Sequence, residues 1–261
     1  MNVQRKYDRK IPAPLPAHRM LSRVAASLSP VIDLRSWCGP IKDQGSEGAC
    51  TAHAGTSANE WIHRRYLGNS SVVFSPQYTY AKELIAQGSF PQDVGSDGVT
   101  LCNTMIANGC CELADYPYIA GQITMPTSTQ DANAAKYRMG AYHGLTGSAV
   151  ALSVIGDQVP WPVEIGFTVY SSFESDAMAS TGIYNPNPSN ESVLGGHEVL
   201  CVGYDVGAAA TIRPAGCPPA LLIQNSWSAS WGLSGFFWMV LAVADDPQTD
   251  LKICHSGNKW A

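Results

Sequence analysis

The chain has 261 residues, is 45% hydrophobic and carries a formal net charge of -5, with 16 basic and 21 acidic side chains. This length is sufficient for one or two hydrophobic cores, and no apolar run approaches the ~20 residues that cross a bilayer. The basic residues form no stripe that would hold a phosphate backbone, so we expect a globular protein without a membrane span or a nucleic-acid partner.

The first thirty residues predict an extended arm and not a domain. Pro12, Pro14 and Pro16 fix φ at alternate positions in "IPAPLPAHR", which favours a polyproline-like path. The stretch is basic but lacks the apolar segment of a secretory signal. We therefore expect no export by the general route, and the compartment in which the protein acts stays open.

Residues 31–140 carry the signals of three helices. The first lies in "CTAHAGTSANEWIHRRYLG", where small and apolar residues recur with a helical period and Gly68 supplies the stop. The second begins with Ser75 as N-cap and Pro76 as first residue, and ends at Gly88. The third runs through "TLCNTMIANG".

Beyond about residue 140 the pattern predicts strands. Four segments are short, rich in β-branched and aromatic residues and bounded by turn formers: "PVEIGFTVY", "HEVLCVGYD", "ALLIQNSW" and "GFFWMVL". A helical unit of residues 31–140 followed by a β-rich unit of residues 141–261 predicts an α+β fold with a cleft between two packed units.

Cys50 is the thiol best placed for chemistry. It precedes the first predicted helix, and a helix N-terminus beside an imidazolium lowers the pKa of a thiol. The flexible "QGSEG" before it exposes backbone N–H groups, and Gln44 adds a side-chain amide. The N–H of Cys50 and the amide of Gln44 would form an oxyanion hole. A lone cysteine among small residues is more often a core thiol, so this prediction depends on partners elsewhere.

His197 and Asn225 are the predicted partners. His197 follows two glycines at the start of a strand, which exposes its side chain and lets another element approach. Asn225 ends another strand and would fix the tautomer of the imidazole, while Trp227 would shield their hydrogen bond from water. His53 is the alternative base, but on the same helix as Cys50 it would point sideways.

These segments resemble the papain family of cysteine peptidases. "DQGSEGAC", "GGHEVLCVGYD" and "IQNSWSASWG" are similar, in order, to the glutamine-to-cysteine, histidine and asparagine segments of that family. The likeness covers about residues 31–239, and two further segments resemble a bacterial-type branch of the family. It implies a papain-like two-domain fold, with a helical left domain, a β-rich right domain and the active-site cleft between them. It also implies a cysteine endopeptidase that works through a thioester acyl-enzyme.

The resemblance assigns a role to each motif residue. Cys50 would attack the scissile carbonyl as a thiolate, and His197 would protonate the leaving amine and then activate water. Asn225 would orient His197, while Gln44 and the Cys50 N–H would hold the oxyanion. No cofactor or metal is implied, because the chemistry needs only a reduced thiol and the eight cysteines include no C-x-x-C pair.

A second set of residues is implied for the substrate. Gly48, with Gly95 or Gly98, would form the edge along which a peptide lies extended, backbone to backbone. Trp227 would line the side of the cleft that takes the leaving part. Glu198 stands where the family has a small apolar residue near its main specificity pocket. It either favours a basic side chain in the second residue before the cut or is simply a solvated or salt-bridged glutamate.

Two positions depart from the family signature around the cysteine. Glu47 replaces a half-cystine and Thr51 replaces an aromatic residue, so the usual disulfide is expected to be absent there. Another disulfide is left open by the sequence. It would join one of the adjacent residues Cys110 and Cys111 to either Cys38 or Cys102.

Three functions are compatible with these residues. The chain could be an active endopeptidase, a catalytically silent homologue that binds peptides or a protein, or a thiol acyltransferase. The four intact motif residues argue against the silent homologue, whereas peptidase and acyltransferase share one acyl-enzyme. We expect a monomer that acts on peptide or protein substrates, with the arm of residues 1–30 able to lie across its own cleft and restrain activity.

Overall fold

The structure is a computed structural model that describes residues 4–22, 24–25 and 27–255, with residues 254–255 described in their backbone only. The ends of the predicted arm and of the predicted β-rich unit, residues 1–3 and 256–261, lie outside the described residues. No helix among the described residues is long and apolar enough to cross a membrane.

The three predicted helices are confirmed in the first half of the chain. They are α1, Cys50–Tyr66; α2, Pro76–Ala86; and α3, Gly98–Ala107. Ser75 caps α2 as expected, since its hydroxyl accepts the N–H of Tyr78 at 3.1 Å. Asp97 caps α3 through the N–H groups of Val99 and Thr100, a signal that the sequence interpretation did not use.

Four further helices were not predicted. They are α4, Ser128–Ala134; α5, Ser148–Ile155; α6, Asp176–Thr181; and α7, Leu241–Ala244. The segment that forms α5, "SAVALSVI", is apolar nearly all round because it packs against the sheet and is buried at almost every position. Its sequence therefore lacks the one-sided apolar stripe of a surface helix.

Nine strands of the described chain form one mixed sheet. They are β1, Met20–Leu21; β2, Val31–Asp33; β3, Ala141–Leu145; β4, Val163–Tyr170; β5, Ile183–Tyr184; β6, Val193–Asp205; β7, Ala220–Gln224; β8, Phe236–Val240; and β9, Asp250–His255. The order is β1-β3-β9-β4-β6-β7-β8-β5, with β2 paired to β6. The four predicted strands are confirmed as β4, β6, β7 and β8. The α+β expectation is likewise confirmed.

Helix α1 packs on the sheet and brings the helical and β-rich parts together. Its residues Ala58, Trp61 and Ile62 belong to the same hydrophobic core as the buried residues of β4 and β6. Strand β2 precedes the helices in sequence but pairs antiparallel with the end of β6. The domain boundaries at residues 30 and 140 stay a prediction. Strands β1 and β2, which precede the helices in sequence, belong to the same sheet as the later strands.

Candidate active site

Cys50 is the first residue of α1. Its N-cap, Ala49, offers no side-chain acceptor to the first turn, so the N–H groups there are not capped by a side chain. The small residues that follow let α1 lie deep in the molecule: a Cβ on Gly55 would come within 2.7 Å of the side chains of Leu101 and Met105 in α3. The result is a fully buried thiol at a helix N-terminus.

His197 and Asn225 lie together at one end of the sheet. β6 and β7 are antiparallel neighbours, so the start of β6 lies beside the end of β7, where Asn225 follows. The His197 Nε2 is 2.9 Å from the Asn225 Oδ1. The same oxygen accepts the backbone N–H of Ser226 at 2.8 Å. These two bonds fix the amide, and with it the orientation of the imidazole.

The indole of Trp227 covers this hydrogen bond. Its ring centroid is 5.2 Å from that of His197, with an angle of 30° between the planes. Phe173 packs against both rings, and Trp227 itself is buried. Water is thereby kept from the His197–Asn225 bond, which strengthens it because the local dielectric is low.

The start of α1 meets β6 beside His197. The sulfur of Cys50 accepts a hydrogen bond from the backbone N–H of Glu198, the residue that follows His197. Within the described structure the Nδ1 of His197 is buried and has no hydrogen-bond partner. Burial, with the charge of Glu198, raises the pKa of Cys50 to about 12, and burial lowers that of His197 to about 4. The covered pair is therefore a neutral thiol and a neutral imidazole.

Gln44 ties the loop before Cys50 to the segment after β7. Its Nε2 donates to the carbonyl of Glu47 at 3.0 Å, and its Oε1 accepts the hydroxyl of Ser226 at 2.5 Å. The side chain is fully buried. A glutamine amide carries two N–H groups, so one donor remains that the bond to Glu47 does not use.

Hydrogen bonds occupy the two positions that depart from the family signature. Gln77 donates to both carboxylate oxygens of Glu47, at 2.9 and 3.1 Å. The hydroxyl of Thr51 donates to Glu83 at 2.8 Å inside the helical part. Polar bonds thus fill sites where the family has a half-cystine and an aromatic ring.

The disulfide left open by the sequence is not formed. None of the seven cysteines whose side chains are described forms a disulfide, and these seven include Cys38, Cys102, Cys110 and Cys111. The sulfur of Cys110 accepts the side-chain amide of Asn59 at 3.3 Å, and that of Cys102 faces Glu164. These sulfurs point to buried polar partners on other elements and not to one another.

Residues 4–10, which we call the cleft segment, lie over Cys50 and His197. The carbonyl of Tyr7 accepts the N–H of Gly196 at 3.0 Å, and the N–H of Arg9 donates back to the Gly196 carbonyl at 3.4 Å. On the opposite wall the N–H of Lys10 donates to the carbonyl of Ser96 at 2.7 Å. The segment is thus bonded to both walls, and Cys50 and His197 beneath it have no exposed surface.

The three glycines predicted for the substrate edge occupy different places. Gly95 has a φ of +69°, and a Cβ there would collide with the carbonyl of Asp8 in the cleft segment. The N–H of Gly48 donates to Asp93 at 3.0 Å. Gly98 does not touch the segment's backbone in this way, because its neighbours are the side chains of Glu198 and Lys252. Sequence reasoning missed Ser96, whose carbonyl is the acceptor on this wall.

Glu198 is buried and paired with a residue of the cleft segment. Its Oε2 accepts the Nε of Arg9 at 2.8 Å, and Arg9 also forms an ion pair with Asp250 of β9. Of the alternatives that the sequence left for this position, the structure shows a salt-bridged glutamate and not a solvated one. Asp250 and Arg9 were missed, although the alternation of charged and apolar residues in "DLKI" is a strand signal that could have predicted β9.

His53 is not hydrogen-bonded to His197 or Asn225 in the described structure. Its ring packs edge-on against Tyr118, with centroids 4.8 Å apart, and burial lowers its pKa. Neither ring nitrogen has a hydrogen-bond partner within the described structure. No cluster of three or more potential metal ligands occurs among the residues that the structure describes.

The profile described as papain family cysteine protease matches residues 28–254. The chain is 27% identical over 217 residues to an uncharacterized peptidase C1-like protein of Acanthamoeba polyphaga mimivirus, covering 78% of this chain and 65% of the relative. It is 28% identical over 210 residues to the thiol protease aleurain of Arabidopsis thaliana, covering 77% of this chain and 52% of the relative. The chain therefore spans about half to two thirds of the length of these relatives.

Two solved structures establish the fold. The crystal structure of xylellain, a cysteine protease from Xylella fastidiosa, matches with a TM-score of 0.82 and 21% identity, covering 99% of both chains. The bromelain protease from Ananas comosus in complex with the E64 inhibitor matches with a TM-score of 0.65 and 18% identity, covering 88% of this chain and all of the other. The predicted papain-like fold and the likeness to a bacterial branch are confirmed.

Proposed function

The chain belongs to the papain family of cysteine proteases, and we propose that it is a cysteine endopeptidase acting through Cys50, His197 and Asn225. The observation that carries the proposal is the meeting of α1 and β6. The Cys50 sulfur is hydrogen-bonded to the N–H of Glu198, the residue that follows His197, and Asn225 holds the imidazole of His197 at 2.9 Å. A thiol at a helix N-terminus next to an oriented histidine is the arrangement that nucleophilic catalysis requires.

Acylation follows from the roles of these groups. The Nδ1 of His197 takes the proton of Cys50, and the thiolate attacks the carbonyl carbon of the scissile bond. The carbonyl electrons move onto oxygen, where the Cys50 N–H and the second N–H of Gln44 stabilise the charge. When the carbonyl reforms, the C–N bond breaks and His197 gives its proton to the leaving amine. A thioester on Cys50 remains.

Deacylation reverses the proton movements. A water molecule gives its proton to the Nδ1 of His197 and attacks the thioester carbonyl. The oxyanion forms in the same hole, the C–S bond breaks, and the thiolate of Cys50 recovers the proton from His197. The Asn225 Oδ1 accepts a hydrogen bond from Nε2–H throughout, which keeps the proton on Nε2 and leaves Nδ1 available as the base. An amine in place of water would give acyl transfer by the same steps.

The walls that bind the cleft segment also suit an extended peptide. Ser96 and Gly196 supply backbone groups on opposite sides of Cys50, and these groups pair with whatever extended chain lies between them. A cavity of about 620 Å³ continues on the Trp227 side, lined also by Asp43 and Trp231. We assign this cavity to the part of the substrate that leaves first.

We further propose that the cleft segment restrains activity. It excludes substrate from the backbone groups of Ser96 and Gly196, and its cover holds Cys50 and His197 in their neutral forms, which are poor for attack. Arg5 lies against Trp227 and Arg9 lies against Glu198, so the segment starts on the leaving side of the cleft. That direction is opposite to the one expected of a substrate, which explains how the chain could lie there without being cut.

The test is alkylation by an epoxide that reacts with papain-like thiols, followed by peptide mapping and casein hydrolysis. Stoichiometric labelling of Cys50, lost together with hydrolysis in Cys50→Ala, is expected. Cys38→Ala is the matched control, because Cys38 is a partly exposed thiol outside the cleft and its loss should leave both readouts unchanged. Product analysis with an added amine separates hydrolysis from acyl transfer. The proposal would be refuted if neither the full-length protein nor a folded variant without residues 1–10 is labelled at Cys50 or active.

A further inference from the structure

A buried pocket beside Cys50 holds the guanidinium of Arg9. The side chain of Arg9 is 1% exposed and that of Glu198 is fully buried, whereas Asp250 retains 22% exposure at the pocket edge. Glu198 also donates its backbone N–H to the sulfur of Cys50, so the pocket adjoins the proposed nucleophile. Any side chain that fills it therefore lies close to the bond that is cut.

The pocket has the size and shape of an arginine side chain because two of its walls lack side chains. A Cβ on Gly166 of β4 would collide with the guanidinium of Arg9. A Cβ on Gly98 would come within 2.5 Å of the Nζ of Lys252 and 2.9 Å of the Oε1 of Glu198. Glycine at both positions leaves room for a planar group between β4 and the start of α3.

The two carboxylates of the pocket need a second cation besides Lys252 to balance their negative charge. Glu198 and Asp250 supply two negative charges, and Asp97 at the start of α3 adds to the negative potential at Glu198. Lys252 forms an ion pair with Asp250, and Arg9 supplies the other positive charge. Burial, together with the charge of Glu198, raises the pKa of Glu164 to about 8, which favours its neutral form at pH 7. If a leucine side chain replaced Arg9, a buried carboxylate would lose its partner.

We propose that Glu198 and Asp250 form a specificity pocket for arginine, so that the preferred substrates carry arginine as the second residue before the scissile bond. This inference rests on the proposed peptidase function and names its substrate class. The cleft segment fills the pocket with its own Arg9, which makes that residue a stand-in for the substrate side chain.

The experiment compares three fluorogenic peptides on the full-length protein. They differ only in the second residue before the cut, which is arginine, citrulline or leucine; citrulline keeps the shape of arginine without its charge. The cleft segment competes equally with every peptide, so ratios of kcat/KM are independent of it. We expect arginine to exceed citrulline roughly 10- to 100-fold, the range for hydrogen bonds to charged groups.

Three variants locate the source of that ratio. Glu198→Gln should make kcat/KM for the arginine and citrulline peptides nearly equal. Asp250→Asn should reduce the arginine-to-citrulline ratio of kcat/KM in part. Gly166→Ala should lower arginine cleavage more than leucine cleavage, and it tests the pocket by shape if Glu198→Gln does not fold. Asp115→Asn, which removes an exposed carboxylate in the helical part of the chain, is the matched control and should keep the wild-type ratio.

The outcomes separate the two proposals. Cleavage of casein and of all three peptides without preference would overturn the arginine pocket while leaving the peptidase intact. A preference that persists unchanged in both Glu198→Gln and Gly166→Ala would also overturn it. If no peptide is cleaved and Cys50 is not labelled by the epoxide, in the full-length protein and also in a folded variant without residues 1–10, the proposed function itself fails and the pocket inference falls with it.

Discussion

The phenol ring of Tyr7 lies edge-on against the imidazole of His197, with ring centroids 6.3 Å apart and planes at 90°. The Tyr7 hydroxyl donates to Glu174 at 2.7 Å, and its ring also contacts Trp227 at 6.1 Å. One side chain of the cleft segment therefore closes the space above the histidine. Access to Cys50 depends on whether this segment moves.

Removal of residues 1–10 should raise activity. The deletion frees the backbone groups of Ser96 and Gly196 but leaves the pairing of β1 with β3 intact. We expect a several-fold or larger increase in kcat/KM and a matching increase in the rate of epoxide labelling of Cys50. His18→Ala, on the exposed outer part of the arm, should change neither rate. Equal rates in a folded deletion variant would show that the segment is structural packing and not a restraint.

Acid should loosen the cleft segment through His197. Burial lowers the pKa of this imidazole to about 4, whereas an uncovered histidine titrates near 6.5, so protons bind more strongly to the open form. The cover is fully stable above about pH 6.5 and weakens as the pH falls towards 4, by on the order of 3 kcal/mol in total. Arg5, Lys6 and Arg9 also hold the segment through ion pairs with the carboxylates of Asp43, Asp93 and Glu198.

Hydrogen exchange at the Lys10 amide, corrected for its intrinsic pH dependence, measures this opening in Cys50→Ala without turnover. Protection should fall between pH 6.5 and 5. His197→Gln, which cannot take up the proton, should give constant protection over that interval. The same decline in both proteins would assign the effect to the carboxylates and contradict the role of His197.

Glu83→Gln should stabilise the fold at high pH. Glu83 is fully buried, its Oε2 accepts the hydroxyl of Thr51, and burial raises its pKa well above the ordinary value. The folded state therefore favours the protonated form, and its stability falls as pH rises above about 4.5. We expect Glu83→Gln to have the higher Tm at pH 8 and a smaller advantage at pH 5, by thermal unfolding.

The control variant for this prediction should change the Tm in the opposite direction. Burial is the largest single influence on Glu191 and raises its pKa, but the hydrogen bonds that its carboxylate accepts from Ser172 and from the backbone N–H of Asn187 together outweigh burial and lower the pKa. Its carboxylate contributes stability above the ordinary pKa and loses it as pH falls. Glu191→Gln should therefore lower Tm at pH 8. An equal loss of stability in both variants would mean that Glu83 is ionised and well satisfied in the fold.

Local signals predicted the helices and the motif residues, because each depends on a few neighbours in sequence. Ser75 caps α2, as its place before Pro76 predicts. The small residues after Cys50 form α1, as their periodicity predicts. Asp250 and Arg9 could not be predicted as partners of Glu198, since β9 and the cleft segment reach it only through the tertiary fold. Substrate roles for individual residues thus depend on long-range packing that no local pattern encodes.

The fold distinguishes two glycines between which the sequence could not choose. Gly95 and Gly98 were equivalent candidates for the substrate edge. The left-handed φ of Gly95 brings its backbone against Asp8, whereas Gly98 begins α3 and faces the Glu198 side chain. The first glycine therefore permits a close backbone approach, and the second leaves space for a side chain.

Gln44→Glu should lower kcat about 100- to 1000-fold with little change in KM, the usual cost of losing an oxyanion donor. The substitution keeps the shape of the side chain but replaces both amide N–H groups with a negative charge where the oxyanion develops. Ser226→Ala is the matched control, because it removes the 2.5 Å hydrogen bond to the Gln44 Oε1 and leaves the donors in place. We expect that variant to lose less than about tenfold, since a neutral hydrogen bond contributes roughly 1 kcal/mol. Steady-state kinetics on one peptide measure both, and equal losses would mean that Gln44 acts only by tying the loop to Ser226.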